Sequence, residues 1–270
     1  MISPFLLYSF FAFAFGAVVG SFLNVCIFRL PKSESVVFPP SHCTNCDYVI
    51  RWYDNIPILS YLFLKGKCRS CGERISLQYP LVEFINGALA LALFLRFAPK
   101  TPAAMLDLTQ WLGFAVLFLF CSALVVVTFI DLEHQIIPDS ITLPGIVIGF
   151  VISFFIPNLG WLNSLLGILA GGGSLLLVAY GYEFLTKRDG MGGGDIKLLA
   201  MMGAFFGWKA ILFIVFAASL VGSVIGVSIM LAQKKDSTLA IPFGPYLASA
   251  AVLYIFYGNT IIFWYLNMGR

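Results

Sequence analysis

The sequence predicts an all-α polytopic membrane protein with about eight transmembrane helices and one small polar insert between the first and second. Three observations predict it. Hydrophobic residues fill 60% of the 270 positions and charged residues only 11%, against roughly 25% charged in soluble domains. Several apolar stretches reach the roughly 20 residues that a helix needs to cross a bilayer. One polar stretch, residues 31–80, interrupts them. Lipid offers no partner to backbone N–H and C=O groups, so the spanning segments must be helices that satisfy those groups internally.

The spans follow in order. Residues 4–28 carry no charge. A cleaved signal peptide would have a basic leading region and an apolar core of about 7–15 residues. Neither is present, so this stretch is expected to stay as the first span. Residues 109–130 and 210–232 are essentially uncharged. The stretch 140–182 is too long for one crossing and breaks at Ile156-Pro157-Asn158-Leu159-Gly160, giving spans near 141–156 and 162–182. A further span lies near 245–266. Two windows are weaker. Residues 81–98 hold Glu83 and Arg96, which can snorkel to opposite interfaces. Residues 196–208 are short and end at Gly207-Trp208-Lys209, an interfacial turn. With both, the count is eight; without one or both it is seven or six.

Eight spans put both termini on one side, and the distribution of Lys and Arg sets which side. With the termini outside, residues 29–80 place Arg29, Lys32, Arg51, Lys65, Lys67, Arg69 and Arg74 in the cytoplasm, and later loops add Lys187, Arg188, Lys197, Lys234 and Lys235. Only Arg96, Lys100, Lys209 and Arg270 remain outside. The expected organisation is a first helix over 1–30, a cytoplasmic insert over 31–80 built from loops and short strands, and a membrane body over 81–270 with about seven helices. No internal repeat is evident.

The insert reads CTNC at 43–46 and CRSC at 68–71. Each C-x₂-C turn can offer two thiolates to one ion, so Cys43, Cys46, Cys68 and Cys71 predict a structural Cys₄ zinc site. Metal binding would help so small a segment fold. Two disulfides are the competing arrangement, and a reducing cytoplasm argues against them. The flanking basic residues read as a positive-inside signal. Cys26 and Cys121 lie inside apolar spans and read as packing residues.

Ionisable residues at membrane depth are functional candidates. Asp131 follows LVVVTFI at the inner end of the third span, and Asp195 opens the sixth, also on the inner side. The topology therefore brings two carboxylates to one depth, as an aspartyl dyad requires. Two close carboxylates do not both ionise readily, so one holds a proton. The ionised member can take a proton from water as it attacks a peptide carbonyl, and the protonated member can polarise that carbonyl. A carboxylate at a helix C-terminus opposes the macrodipole, so Asp131 needs a reason to be there. Asp195 alone would also suit a helix N-cap. Asp139 reads as the N-cap of the fourth span, Glu133 and Asp189 as solvated loop acids, and His134 as an interface residue. Glu83 is either an interfacial acid or a substrate-binding residue. Gly192, Gly193 and Gly194 lack side chains, so an extended substrate backbone can approach closely there. Lys197 either tunes the pair or marks the inner interface.

These motifs resemble the type IV prepilin peptidases, the bifunctional prepilin leader peptidases and N-methyltransferases of bacterial inner membranes. The likeness covers nearly the whole chain: GSFLNVCIFRLP at 20–31, NIPILSYLFLKGKCRSC at 55–71, ISLQYPLVE at 75–83, IDLEHQIIPD at 130–139, GMGGGDIKLLA at 190–200 and IPFGPYLASA at 241–250. The resemblance implies that Asp131 and Asp195 are the catalytic pair of a GxGD aspartyl protease. It implies that the cysteine insert serves methylation, with S-adenosylmethionine as donor. It implies prepilin and pseudopilin substrates, cut after Gly on the cytoplasmic side, with the new N-terminal residue, typically Phe, then methylated. Membrane lipid is the other expected partner, with no nucleic acid. Thr44 stands where the family usually has Pro, and Gln78 where Arg is expected. A peptidase-only GxGD enzyme shares the dyad but is not expected to carry the cysteines. A transporter with a zinc-stapled insert would favour acids nearer the midplane and repeated broken helices.

Overall fold

The computed structural model describes residues 4–97, 108–156, 159–187, 192–233 and 242–267. The described residues are helical wherever the sequence is apolar. The helices are α1 (Pro4–Arg29), α2 (Leu59–Phe63), α3 (Gln78–Phe97), α4 (Leu108–His134), α5 (Asp139–Ser153), α6 (Gly160–Thr186), α7 (Gly193–Phe206), α8 (Trp208–Gln233), α9 (Gly244–Leu253) and α10 (Asn259–Asn267), with a π-helical turn at Tyr254–Gly258 joining the last two. Six are long and apolar enough to cross a membrane: Phe5–Lys32, Gln78–Phe97, Leu108–His134, Gly160–Thr186, Trp208–Ala232 and Gly244–Tyr265. The other two windows form helices of 15 and 14 residues. At 1.5 Å per residue, helices of that length fall short of a ~30 Å hydrocarbon core. Helix α7 stops because Gly207 adopts a left-handed φ of 78° and its N–H closes the last turn on Gly203 O.

Two compact units divide the chain, Met1–Val126 and Val127–Arg270. In the first, α1 and α3 pack through small and polar residues while large ones such as Phe10, Phe15 and Phe22 face outward. Buried Asn86 donates to Gly16 O at 2.7 Å and accepts from Ser122 at 2.9 Å. Asn24 donates to Tyr79 O at 3.1 Å. Lipid tails are as apolar as Leu, so helix association rests on close packing and such hydrogen bonds instead of the hydrophobic effect.

The insert of the first unit is held at both ends. Buried Arg29 donates to Ser35 O at 2.9 Å and Pro39 O at 2.6 Å, folding the chain back over the end of α1. Buried Glu83 on α3 accepts the Ile58 N–H at 2.7 Å. Ile58 sits at φ 62°, ψ −50°, with the Leu59 N–H on Pro57 O at 2.6 Å. That is a γ-turn of the rare, strained kind, unusual for a β-branched residue. The expected short strands are replaced by two isolated antiparallel bridges, His42↔Val49 and Lys67↔Arg74, with 3₁₀ turns and α2 around them. Each bridge closes on a cysteine turn at once, which leaves no length for a strand.

In the second unit α7 is the central element. Leu198 through Ala204 are all buried, as expected of a helix apolar on every side. It packs against α5, α6, α8 and α9. The tightest crossing is with α6, where a Cβ added to Gly203 would collide with the Gly167 carbonyl, and one added to Gly167 with the Gly203 carbonyl. Ser164 closes the same crossing by donating to Ala204 O at 2.7 Å. Gly203→Val is therefore expected to destabilise the protein by at least about 1–3 kcal/mol, the usual cost of overpacking. Gly173→Ala, which meets nothing within 4 Å, serves as its control. Thermal unfolding in detergent measures both, and equal midpoints would contradict the packing argument.

Candidate functional site

The carboxylate site is assembled at one end of the second unit. Asp131 lies in the last turn of α4 and is buried. Its Oδ2 accepts the backbone N–H of Gly244, the first residue of α9, at 2.9 Å. Asp195 is the third residue of α7. Its Oδ1 is buried and has no hydrogen-bond partner among the described residues. One side chain links the arrangement. A Cβ on Gly194 would stand 2.8 Å from Ile137 Cβ, and one on Gly244 would stand 3.3 Å from Ile137 Cδ1. Ile137 therefore wedges between the start of α7, which carries Asp195, and the start of α9, whose Gly244 N–H binds Asp131.

The N-cap of α7 is Gly192, not Asp195, so the capping role weighed for Asp195 is not the one it takes. Gly192 and Gly193 are exposed and Gly194 is half-buried. Gly190 and Asp189 lie outside the described residues. The expected N-cap role of Asp139 is also corrected. Pro138 is the N-cap of α5, and Asp139 instead accepts from Lys197 Nζ at 2.7 and 2.8 Å. Lys197 is thereby engaged by Asp139. Glu133 and His134 are exposed in the last turn of α4. Glu83 belongs to the first unit, where its carboxylate holds the γ-turn at Ile58. Cys121 is buried as expected, and Cys26 is half-buried.

The four insert cysteines converge. Their sulfurs all lie within 4.8 Å of one another, with Cys43–Cys71 at 3.9 Å and Cys46–Cys68 at 4.0 Å. A disulfide needs about 2.05 Å. A tetrahedral zinc with ~2.3 Å bonds sets its sulfurs about 3.8 Å apart. The set therefore fits a single metal ion and does not form two disulfides. The electrostatics agree. The Cys71 and Ser70 backbone hydrogen bonds bring the Cys68 thiol down to about 7. Cys46 benefits from a backbone bond at Tyr48, yet burial and the other three cysteines push it up to about 11. Cys46 and Cys68 are thus driven in opposite directions, and a bound cation would favour the thiolate form at both.

A repeat that the sequence conceals builds this cluster. The Cys43 N–H donates to Tyr48 O at 2.9 Å and the Cys68 N–H to Glu73 O at 2.8 Å. The Asp47 N–H reaches Cys43 O at 2.9 Å and the Gly72 N–H Cys68 O at 3.0 Å. The Ile50 N–H reaches Ser41 O at 2.9 Å and the Ile75 N–H Gly66 O at 2.8 Å. Asp47 and Gly72 both take left-handed φ, 54° and 74°. SHCTNCDYVI at 41–50 and GKCRSCGERI at 66–75 share only their cysteines and final Ile, so no internal repeat was legible. The backbone bonds make them two copies of one metal knuckle.

Arg69, in the second knuckle, grips Asp54 of the Trp52–Asn55 turn, donating from Nε at 3.0 and 2.9 Å and from Nη2 at 2.6 Å. This fork is the strong geometry for an arginine–carboxylate pair.

A multi-pass helical body with paired acids at helix ends and a four-cysteine knuckle module defines a membrane enzyme candidate, and comparison with known proteins gives its family. Residues 14–97 match the bacterial peptidase A24 N-terminal domain, and residues 118–227 match the type IV leader peptidase family. Three curated relatives are named prepilin leader peptidase/N-methyltransferase. That of Aeromonas hydrophila is 35% identical over 97% of this chain and 94% of its own length. That of Xanthomonas campestris pv. campestris is 38% identical over 93% and 92%, and that of Pseudomonas aeruginosa is 34% identical over 93% and 91%. No solved structure matches the chain. The chain belongs to the type IV leader peptidase family and is an enzyme, an inner-membrane protein with several spans.

The Arg69 hydrogen bonds hold Asp54 below the usual carboxylate range. A lowered value stabilises the fold above the ordinary Asp pKa, and that contribution is lost as pH falls through the lowered value. Asp54→Asn is expected to speed limited proteolysis of the insert at neutral pH, with the two proteins converging in acid. Equal rates at neutral pH would contradict a structural role for the pair.

Proposed function

We propose that the chain is a bifunctional enzyme that cleaves the basic leader from type IV prepilins or pseudopilins and then N-methylates the new N-terminal residue. The observation that supports this most is that Ile137 stands against both Gly194, next to Asp195, and Gly244, whose N–H binds the buried Asp131, while Asp195 Oδ1 is buried with no partner among the described residues. In this reading one carboxylate accepts a proton from water. The hydroxide so formed adds to the carbonyl carbon of the leader's last Gly; the protonated carboxyl polarises that carbonyl through a hydrogen bond and gives its proton to the amine as the C–N bond breaks. Gly192, Gly193 and Gly194 would bind the extended substrate backbone, a role that the exposure of Gly192 and Gly193 and the small size of all three support.

The resemblance assigns methylation to the cysteine insert, with S-adenosylmethionine supplying the methyl group when bound. Zinc is the ion that the four thiolates fit best, as a structural site closed to substrate. In this reading 1–30 is the first membrane segment, 31–80 the insert and 81–270 the peptidase body, with both termini outside and the active site facing the cytoplasm; the count of about eight includes α5 and α7, which are shorter than a full crossing. A pilin's hydrophobic N-terminal helix would rest in the membrane, so its leader junction meets the enzyme at that interface. Glu83 serves the insert's γ-turn in this reading, and a contact with substrate would come through its second oxygen.

Asp131→Asn and Asp195→Asn are each expected to lower cleavage of a model prepilin by about 10³-fold, in the range of lost acid–base catalysis, with little change in thermal stability. Full cleavage by either variant would remove the dyad. Cys43→Ser is expected to release the bound metal, measured by emission spectrometry, and to reduce methylation of a pre-cleaved pilin far more than cleavage. Equal loss of both activities would refute the division of labour.

A further inference from the structure

Asp131 and Asp195 are chemically alike but differently held. Asp131 Oδ2 accepts the Gly244 N–H in a buried bond of 2.9 Å. That N–H opens α9, where the first N–H groups have no partner inside the helix. The helix N-terminus also carries a partial positive charge that favours an anion. Asp195 Oδ1, in contrast, is buried without a partner among the described residues, and an unpartnered buried oxygen is costly on a charged carboxylate.

Position 244 has no room for a side chain. A Cβ there would stand 2.6 Å from Asp131 Oδ2 and 3.2 Å from its Cγ. Gly244 is not among the residues with left-handed φ, so it is the space that requires glycine. Titratable side chains on the helices packed against α7 are Asp139 on α5, Tyr180, Tyr182 and Glu183 on α6, Lys209 on α8 and Tyr246 on α9. On α4 itself, Glu133 and His134 follow Asp131. Lys197 of α7 is taken by Asp139.

We propose that the Gly244 N–H at the head of α9 is a positioning group that keeps Asp131 the ionised member of the pair and leaves the shared proton on Asp195. Asp131 is then the base that takes the proton from water, and Asp195 the acid that faces the substrate carbonyl and protonates the leaving amine. Protons balance over the cycle: Asp131 gains the one from water and Asp195 gives up its own, and transfer between the two restores the resting state. The proposal rests on the dyad reading above and adds the division of roles within it.

The test replaces the amide at Gly244 by an ester in the full-length enzyme, which removes the N–H without adding a side chain. The pH dependence of kcat/KM for model prepilin cleavage is then compared with wild type. Without its donor Asp131 loses its proton less readily, so the acid limb is expected to move up by about one pH unit, a tenfold change in ionisation, with activity recovering at higher pH. A uniform loss with an unmoved acid limb would overturn the proposal, because a purely structural role produces that pattern. Should turnover be too slow to profile, binding of a peptide with a hydroxyethylene group at the scissile bond, which needs one ionised and one protonated carboxyl, is read over the same range. The same upward move is expected, and an unmoved limb overturns the proposal. Failure of the dyad reading is separate: it is read from cleavage retained by Asp131→Asn or Asp195→Asn.

Discussion

The second unit depends on burying α7 on every side. A helix of 14 residues that begins with Gly193-Gly194-Asp195 is too short to hold its depth by length alone. Its depth comes from contact. The α6 backbone meets it at Gly167 and Gly203 with no side chain between them, and Ser164 ties the crossing with a hydrogen bond. Gly145 and Gly149 let α5 approach Met201, Ala204 and Phe205 as closely. With the helix set at this depth, Gly194 beside Asp195 meets Ile137, the same side chain that touches Gly244, the partner of Asp131. A looser crossing would let α7 slide, and a small shift of a reacting group is enough to cost most of a rate.

The insert solves a different problem. A segment of fifty residues is too small to build a large core, so it is fastened rather than packed. Arg29 and Glu83 reach out of the helices to bind its backbone, and Arg69 locks Asp54. Two copies of one knuckle turn four cysteines toward a common point. The strained γ-turn at Ile58 persists because a buried carboxylate captures its N–H. Backbone held in a sparsely populated region is over-determined by its surroundings, and here the surroundings are the start of α3 and the chain leading to α2.

Much of this was legible beforehand for reasons of solvent. The helical windows at 4–28, 109–130 and 210–232 follow from apolar length, and structure and sequence agree on them to within a few residues. The cysteine spacing forecast the convergence of the four sulfurs, because a C-x₂-C turn has few ways to fold. Side-chain partners were less legible. Asp139 looked like a cap and is instead the partner of Lys197, a contact between residues 58 apart in sequence. The repeat in the insert was invisible because its two copies share backbone hydrogen bonds and not side chains. Gly244 drew no attention as a partner of Asp131, since the two stand 113 residues apart and the bond uses a backbone group that any residue offers.

By itself the sequence determined the lipid-facing character of the chain, the cysteine set and the presence of two acids at the edges of apolar helices. Composition and local spacing carry that information, because water, lipid and metal ions act on each segment directly. Only the tertiary structure decided that Asp131 has a backbone donor while Asp195 Oδ1 has none among the described residues, that Ile137 wedges the site, and that Glu83 serves the insert. Those outcomes depend on which segments meet, and at what distance. Helix crossings without side chains and buried backbone hydrogen bonds settle that, and neither leaves a periodic mark in the chain.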